Sequence, residues 1–389
     1  MAWHSIIDEF GNVGSAVSHP TVVALEGLVG PFRDGSLATG DAGVALAHAY
    51  ASCAGKACPS AVPLIESSWS RSVTSGAAPT SLYCGVTGVA WVTAHLNGLL
   101  FDLADEDVLD SVDLALLAFL SGESMPREYD LVSGLVGLGV YVLQRLPRPT
   151  AVTCLERIVD HLAMAAVYRE EGAAWFTGPE ALPERNRQLA PHGYYNMGVA
   201  HGVPGVVWLL AHAARAGVRS ETASALADAA VHWILSQRRP LGGDGGLPSF
   251  VGPSGEAGEA RPFAWCYGAP GVAGVLFAAA RVFGHAEWEE AAVEMALSAV
   301  HLRPEATSVS EAGICHGAAG LGHVFNRLYQ STGEKVLADA ARRWINRAVE
   351  LLPSNTGAGF LEGRAGVALV MLAALEGTEP AWDRVLLLS

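Results

Sequence analysis

The sequence predicts an all-α fold, an α/α toroid of seven inner and seven outer helices, on three observations. A Gly-x-x-Gly element followed by a long apolar segment recurs seven times along the 389 residues. Amphipathic segments of helical period alternate with the apolar ones. Strand signals, meaning β-branched alternation joined by two-residue turns, are nearly absent.

The first glycines are Gly40 (TGDAG), Gly85 (CGVTG), Gly134 (SGLVG), Gly202 (HGVPG), Gly268 (YGAPG), Gly317 (HGAAG) and Gly363 (EGRAG). Their separations are 45, 49, 68, 66, 49 and 46 residues, room for two helices and two loops in each repeat. In Glu334–Leu352, residues Leu337, Ala341, Trp344, Ile345, Ala348 and Leu352 form one apolar stripe, and most charged residues fall off it. Glu221–Gln237 and Ala286–Leu302 behave alike. The segments after the glycines are apolar on most faces, as an inner layer buried by neighbours requires.

Such hairpins stack as an open solenoid or close into a ring. Closure is favoured because the terminal repeats are no more polar than the middle ones and the turns are rich in reactive residues. The first glycine would permit a dihedral or a close backbone approach that a side chain blocks. The second would let the inner helix begin tight against its neighbours. A single domain over residues 1–389 follows, with loop elaborations around 169–194 and 238–261, where the two long spacings put extra chain. The second loop is rich in Gly and Pro and fits either a substrate-touching loop at the mouth of the ring or a plain surface elaboration.

Composition narrows the function. With 51% hydrophobic and 16% charged residues, the chain is not disordered. Its net charge of −15 gives no drive toward nucleic acid or anionic lipid. Mean hydropathy is positive, +0.29. The longest uncharged apolar stretches, Gly271–Ala280 and Gly366–Leu375, are nonetheless far short of the ~20 residues of a spanning helix. The N-terminus shows no basic region followed by an apolar one and a cleavage site. Six cysteines, at 53, 58, 84, 154, 266 and 315, are too sparse for a disulfide scaffold. A cytoplasmic, core-rich protein is expected.

If all seven turns lie at one end of a ring, the residue before each first glycine faces its axis. These are Thr39, Cys84, Ser133, His201, Tyr267, His316 and Glu362. Helix capping would account for Thr39 and Ser133. It does not call for cysteine, histidine and tyrosine. One position further back stand Cys266 and Cys315. With His316 they would converge as two thiolates and one imidazole, a charge-neutral set for Zn²⁺ that leaves one tetrahedral position open. An open set of this kind is catalytic rather than structural. Cys84 fits either an approach to the site or an inert buried thiol. His201, at the same turn position as His316, suits a proton donor or acceptor at neutral pH. Asp130, four residues before Gly134, is placed to orient that histidine or to cap a helix.

The motifs AHGVPG, WCYGAPG and CHGAAG, spread over seven Gly-x-x-Gly repeats, closely resemble the lanthionine synthetase C-like cyclases, from about Ser36 to the C-terminus. The resemblance implies an α/α toroid with one catalytic zinc. It implies addition of cysteine thiols to dehydroalanine or dehydrobutyrine in a dehydrated precursor peptide (leader plus core), closing thioether rings. By motif it assigns Cys266, Cys315 and His316 as zinc ligands, His201 as the acid–base histidine and Asp130 as the motif aspartate. Trp265 and Tyr267 match positions that line the site. Family members carry an arginine shortly before the Trp-Cys pair, where it can stabilise an enolate. Here Arg261 stands five residues before Cys266, followed by Pro262, in a displaced register. Arg364 is another cation at the last turn.

Because the chain is too short to include a dehydratase, a partner dehydratase is expected to act first. A protein of the same family that binds or adds another thiol, such as glutathione, is the second reading. Toroidal glycoside hydrolases need a carboxylate pair. Asp130 and Glu362 are the only obvious candidates, and the Cys–His set would then go unexplained.

Overall fold

A computed structural model describes residues 2–7, 14–28, 32, 34–74, 80–103, 108–122, 128–239, 246–258, 263–301, 304, 307 and 309–389. In chain order its first helices are α1 (Gly14–Glu26), α2 (Asp41–Cys53), α3 (Val62–Thr74), α4 (Val86–Leu96), α5 (Asp110–Leu120), α6 (Leu135–Arg145) and α7 (Pro149–Ala165). Strands β1 (Ala166–Arg169) and β2 (Gly172–Thr177), the short α8 (Glu184–Leu189) and β3 (Tyr194–Asn196) follow. Then come α9 (Val203–Arg215), α10 (Ser220–Ser236), β4 (Phe250–Val251), α11 (Ala269–Phe283) and α12 (Ala286–Ala299). The chain ends with α13 (Ala318–Thr332), α14 (Lys335–Leu351) and α15 (Arg364–Leu375).

Every Gly-x-x-Gly turn starts a helix, and its first glycine is the residue immediately before α2, α4, α6, α9, α11, α13 or α15. Steric exclusion explains the second glycine. A Cβ at Gly43, Gly88, Gly271, Gly320 or Gly366 would collide with the carbonyl oxygen six residues earlier, on Leu37, Leu82, Trp265, Ile314 or Phe360. Close approach, rather than a special dihedral, is the usual reason for the first glycine as well. Only Gly268 has a positive φ, 90°; the others are extended.

The helices group into two compact units, Met1–Asp110 with Val300–Ser389, and Ser111–Ala299. In the first, α2 pairs with α3 and α13 with α14, while α15 packs on α13 and on α2. The hairpin partner of α15 is α1, so the two ends of the chain together supply one pair of helices. The Trp3 indole N–H donates to the Ala373 carbonyl at 2.9 Å in support. In the second unit α6 pairs with α7, α9 with α10 and α11 with α12, and α9 lies between α6 and α11. The apolar helices are buried nearly all round, Val203–Leu210 of α9 without interruption. On α14 the expected stripe of Leu337, Ala341, Trp344, Ile345 and Ala348 is the buried one. No helix among the described residues is long and apolar enough to cross a membrane.

The extra chain differs from the loops expected of it. It contributes β1 to β4, a four-stranded antiparallel sheet in the order β1-β2-β3-β4. Ala166 pairs with Trp175, Phe176 with Tyr195, and Tyr195 with Val251. Strands of two to six residues are too short to show a period of two in the sequence. Trp175 anchors the sheet, its indole N–H donating to the Leu162 carbonyl at 2.9 Å. The Arg169 guanidinium lies 4.9 Å over the Tyr195 ring and donates to the Pro253 carbonyl. By these contacts β3, which runs directly into the turn before α9, is held from both sides.

One buried ionic network ties the C-terminus down. Asp383 accepts from His323 Nε2 at 2.8 Å and from Arg327 Nη2 at 2.8 Å, with its side chain fully buried. Burial alone would raise the Asp383 carboxyl; the Arg327 charge and the His323 hydrogen bond overcome it and hold the group far below the usual carboxylate range. Burial lowers the His323 pKa, which keeps that imidazole neutral. Both shifts have the same sign: their stabilisation is present above the unfolded values and is lost on acidification.

Two outcomes follow. Alanine normally stabilises a helix by ~1 kcal/mol over glycine, but Gly320→Ala drives a methyl into the Ile314 carbonyl and costs about 1–3 kcal/mol instead, read as a lowered denaturation midpoint. Asp383→Asn removes the buried carboxylate from Arg327, leaving only the exposed Glu379 as its counter-charge, and costs about 3–5 kcal/mol at neutral pH. In denaturation measured against pH, the variant also loses most of the wild-type decline below pH 3.8, the ordinary carboxylate value.

Candidate active site

A helix begins with amide groups that no earlier turn of the helix satisfies. Here the chain just before the helix satisfies them. At α2, α6, α13 and α15 it lies across the helix start as a strap, and the first amides donate to carbonyls seven residues back. Asp41 N bonds Asp34 O at 3.0 Å, Leu135 N bonds Glu128 O at 3.2 Å and Val136 N bonds Tyr129 O at 3.1 Å. The pattern recurs from Ala318 to Glu311 at 2.9 Å and from Arg364 to Gly357 at 2.8 Å. None of the seven helices has a side-chain cap. Thr39 and Ser133 are therefore not caps, and the side chains before the glycines are released from that duty. Six of these seven residues are exposed and Tyr267 is half-buried, in contrast to the buried residues that follow.

Neighbouring straps bond to one another. In the first unit Cys315 N donates to Leu361 O at 2.9 Å, Leu361 N to Ala38 O at 3.2 Å and Ala38 N to Tyr83 O at 2.9 Å. The last turn is thereby joined to the first. In the second unit Leu131 N donates to Ala200 O at 3.1 Å and Val199 N to Cys266 O at 2.9 Å.

The bond between Leu131 and Ala200 brings their chain neighbours together. Asp130 Oδ2 meets His201 Nδ1 at 2.6 Å, and Asp130 Oδ1 accepts from the Ser133 amide at 2.7 Å. The Asp130 backbone carbonyl accepts from Gly134 and Gly137. The aspartate is thus fixed by backbone and side chain alike and is not a helix cap. A carboxylate on Nδ1 places that nitrogen's proton and leaves Nε2 as the exchanging one. The imidazole is 45% exposed and the carboxylate 16%, so the histidine meets solvent while its partner is largely enclosed.

In the first unit Cys315 and His316 occupy the corresponding turn before α13. Two carboxylates flank the imidazole, Glu362 at 3.4 Å and Glu311 at 3.5 Å from Nε2. The His316 pKa is pushed up to about 9, chiefly by its hydrogen bond with Cys315, then by the thiolate, Glu311 and Glu362, against the opposing effect of burial. In the second unit Cys266 is buried, with 6% exposure, beside the fully buried Trp265. Tyr267 accepts a 2.9 Å hydrogen bond from Asn196 Nδ2. Cys266 in the second unit, and Cys315 with His316 in the first, offer two thiols and one imidazole of the kinds that ligate a metal ion.

Other expected residues fall elsewhere. Cys84 is exposed, not a buried thiol; partial burial, then the Asp34 charge, raises its pKa. Arg364 is spent on structure, donating through Nε to Asn355 O at 2.7 Å and through Nη1 to Val23 O. Arg261 lies outside the described residues. Asn196 and Glu311 were missed from sequence. Both stand six residues before a first glycine, as do Asp34 and Glu128, so a tally at that offset would have found them.

The nisin biosynthesis protein NisC of Lactococcus lactis subsp. lactis is 25% identical over 328 residues, 79% of this chain and 77% of that one. A solved structure of nisin cyclase superposes with a TM-score of 0.75 at 21% identity, covering 97% of this chain and 98% of the other. That likeness shows the fold, an α/α toroid. A family model for lanthionine synthetase C-like proteins matches residues 31–387, and the chain belongs to that family.

Proposed function

We propose that the protein is a zinc-dependent lanthipeptide cyclase. It would add cysteine thiols of a dehydrated precursor peptide to dehydroalanine or dehydrobutyrine and so close lanthionine and methyllanthionine rings. The observation that carries this reading is the aspartate-backed His201 in the turn before α9, with Cys266, Cys315 and His316 standing at the matching turns as the candidate ligands. Two thiolates and a neutral imidazole suit zinc, and three protein ligands leave its fourth position for a substrate. Family membership and the likeness to nisin cyclase support the same substrate class.

Zinc, when bound, would stabilise the substrate thiolate at neutral pH. The rest of the chemistry falls to the chain itself. As the sulfur–Cβ bond forms, the Cα–Cβ π pair moves toward the adjoining carbonyl. His201 Nε2 then delivers a proton to Cα, and the proton given up by the thiol restores the balance. Asp130 keeps Nδ1 protonated, fixes the plane of the ring and stabilises the imidazolium form. Tyr267 lines the site beside Cys266, and Arg261 is the family-type candidate for stabilising the enolate.

Ring closure requires substrates already dehydrated, so a dehydratase partner would act first on the peptide. The chemistry needs reduced thiols, and all six cysteines are free, as suits the cytoplasm.

The test joins metal analysis with turnover of a dehydrated peptide. Wild type should hold about one zinc per chain, and Cys315→Ala should lose both zinc and thioether formation. Zinc retained in that variant would overturn the ligand assignment. Ring closure absent in zinc-loaded wild type, with glutathione added instead, would overturn the peptide substrate. His201→Ala should keep its zinc yet lower kcat by about 100- to 10,000-fold. Asp130→Asn should also keep zinc, lose at least about 10-fold in kcat and leave KM nearly unchanged.

A further inference from the structure

The strap from Asn196 to His201 carries one side chain whose every polar atom is engaged and which serves two segments at once. Asn196, only 2% exposed, accepts through Oδ1 from the Gly198 amide at 2.8 Å. Its Nδ2 donates to the Tyr267 hydroxyl at 2.9 Å and, at 3.4 Å, to the Tyr194 hydroxyl. The orientation of this amide is fixed by chemistry. A backbone N–H can only donate, so the oxygen must face Gly198 and the NH₂ must face the phenols.

That orientation dictates what Tyr267 does. An NH₂ group offers no acceptor, so the Tyr267 oxygen accepts and its own O–H cannot be directed at Asn196. Accepting this bond also polarises the phenol and makes it a better donor. The ring is held sideways as well. A Cβ on Gly198 would lie 2.6 Å from Tyr267 Cε1 and 2.8 Å from the Cys266 carbonyl, so the strap packs flat against Tyr267 only because residue 198 is glycine. Val199 N, bonded to Cys266 O at 2.9 Å, closes the same contact. The segment that ends in His201 therefore also sets the Tyr267 hydroxyl.

Resting on the cyclase reading, we propose that Asn196 is a positioning residue for ring closure, orienting the Tyr267 hydroxyl as a hydrogen-bond donor to the substrate oxygen that gains negative charge. As the thiolate adds to Cβ, charge collects on the carbonyl oxygen next to Cα. Tyr267 shares its hydrogen with that oxygen without giving it up, and the proton that reaches Cα is still the one from His201.

The decisive variant is Asn196→Asp. It keeps an oxygen for the Gly198 amide but replaces the NH₂ donor with an acceptor that draws the Tyr267 hydrogen to itself. With zinc content and KM unchanged, kcat should fall about 10- to 100-fold, matching Tyr267→Phe. In the Tyr267→Phe background, Asn196→Asp should cost no further activity. Wild-type kcat in Asn196→Asp, or losses that multiply in the double variant, would overturn the proposal.

Thermal denaturation of Asn196→Ala, Tyr267→Phe and the double variant reads the contact without turnover. A double-variant Tm loss short of the sum is expected, and a strictly additive loss would overturn the contact. A wild-type protein that closes no ring would instead sink the cyclase reading, with the Tm cycle still deciding whether Asn196 holds Tyr267.

Discussion

The strap laid across the starts of α2, α6, α13 and α15 is the constraint on which the rest of the structure depends. Helix amides bond to carbonyls seven residues earlier, and this brings the strap so close that the first turn of the helix must present glycine. Backbone thus caps backbone, and no side chain is consumed in the process. Six of the seven residues before the glycines are left exposed above a buried helical layer. A fold that repeats one turn seven times can then carry a different reactive group on each turn without altering its framework.

Bonds between straps decide which of those groups meet. Leu131 to Ala200 and Val199 to Cys266 set the separation of adjacent turns in the second unit. Asp130 and His201 stand beside the first of these bonds, Tyr267 beside the second. The 2.6 Å contact of Asp130 with His201 is therefore a consequence of backbone pairing, not of flexible side chains finding each other. The carboxylate is also held by the Ser133 amide, one residue before the glycine that opens α6.

The inserted sheet has a similar function. Its third strand delivers Tyr194, Tyr195 and Asn196 into the strap, with β2 on one side and β4 on the other. Rigid support on both flanks keeps the Asn196 amide in place, and through it the Gly198 turn and the Tyr267 phenol. Elsewhere the same logic protects the framework. Asp113 binds Arg145 at 2.8 Å in the second unit, and Asp383 binds Arg327 and His323 in the first, so the buried charges are paired.

The seven glycine pairs, the helical periods and the turn residues Cys266, Cys315, His316 and His201 could be read from the chain because a repeated steric requirement leaves a repeated sequence mark. Asp130 was legible as a neighbour of its turn, but only folding decided between helix cap and histidine partner, since both roles want the same carboxylate at the same offset. Sequence likewise left open why each first glycine is there; the structure shows close approach at most turns and a positive φ at Gly268. The short strands, the exposure of Cys84, the capture of Arg364 by backbone carbonyls and the several contacts of Asn196 came from tertiary structure alone. Each depends on partners dozens to hundreds of residues away, and local pattern carries no record of such partners. Local rules wrote the repeats, and long-range backbone pairing decided which side chains meet.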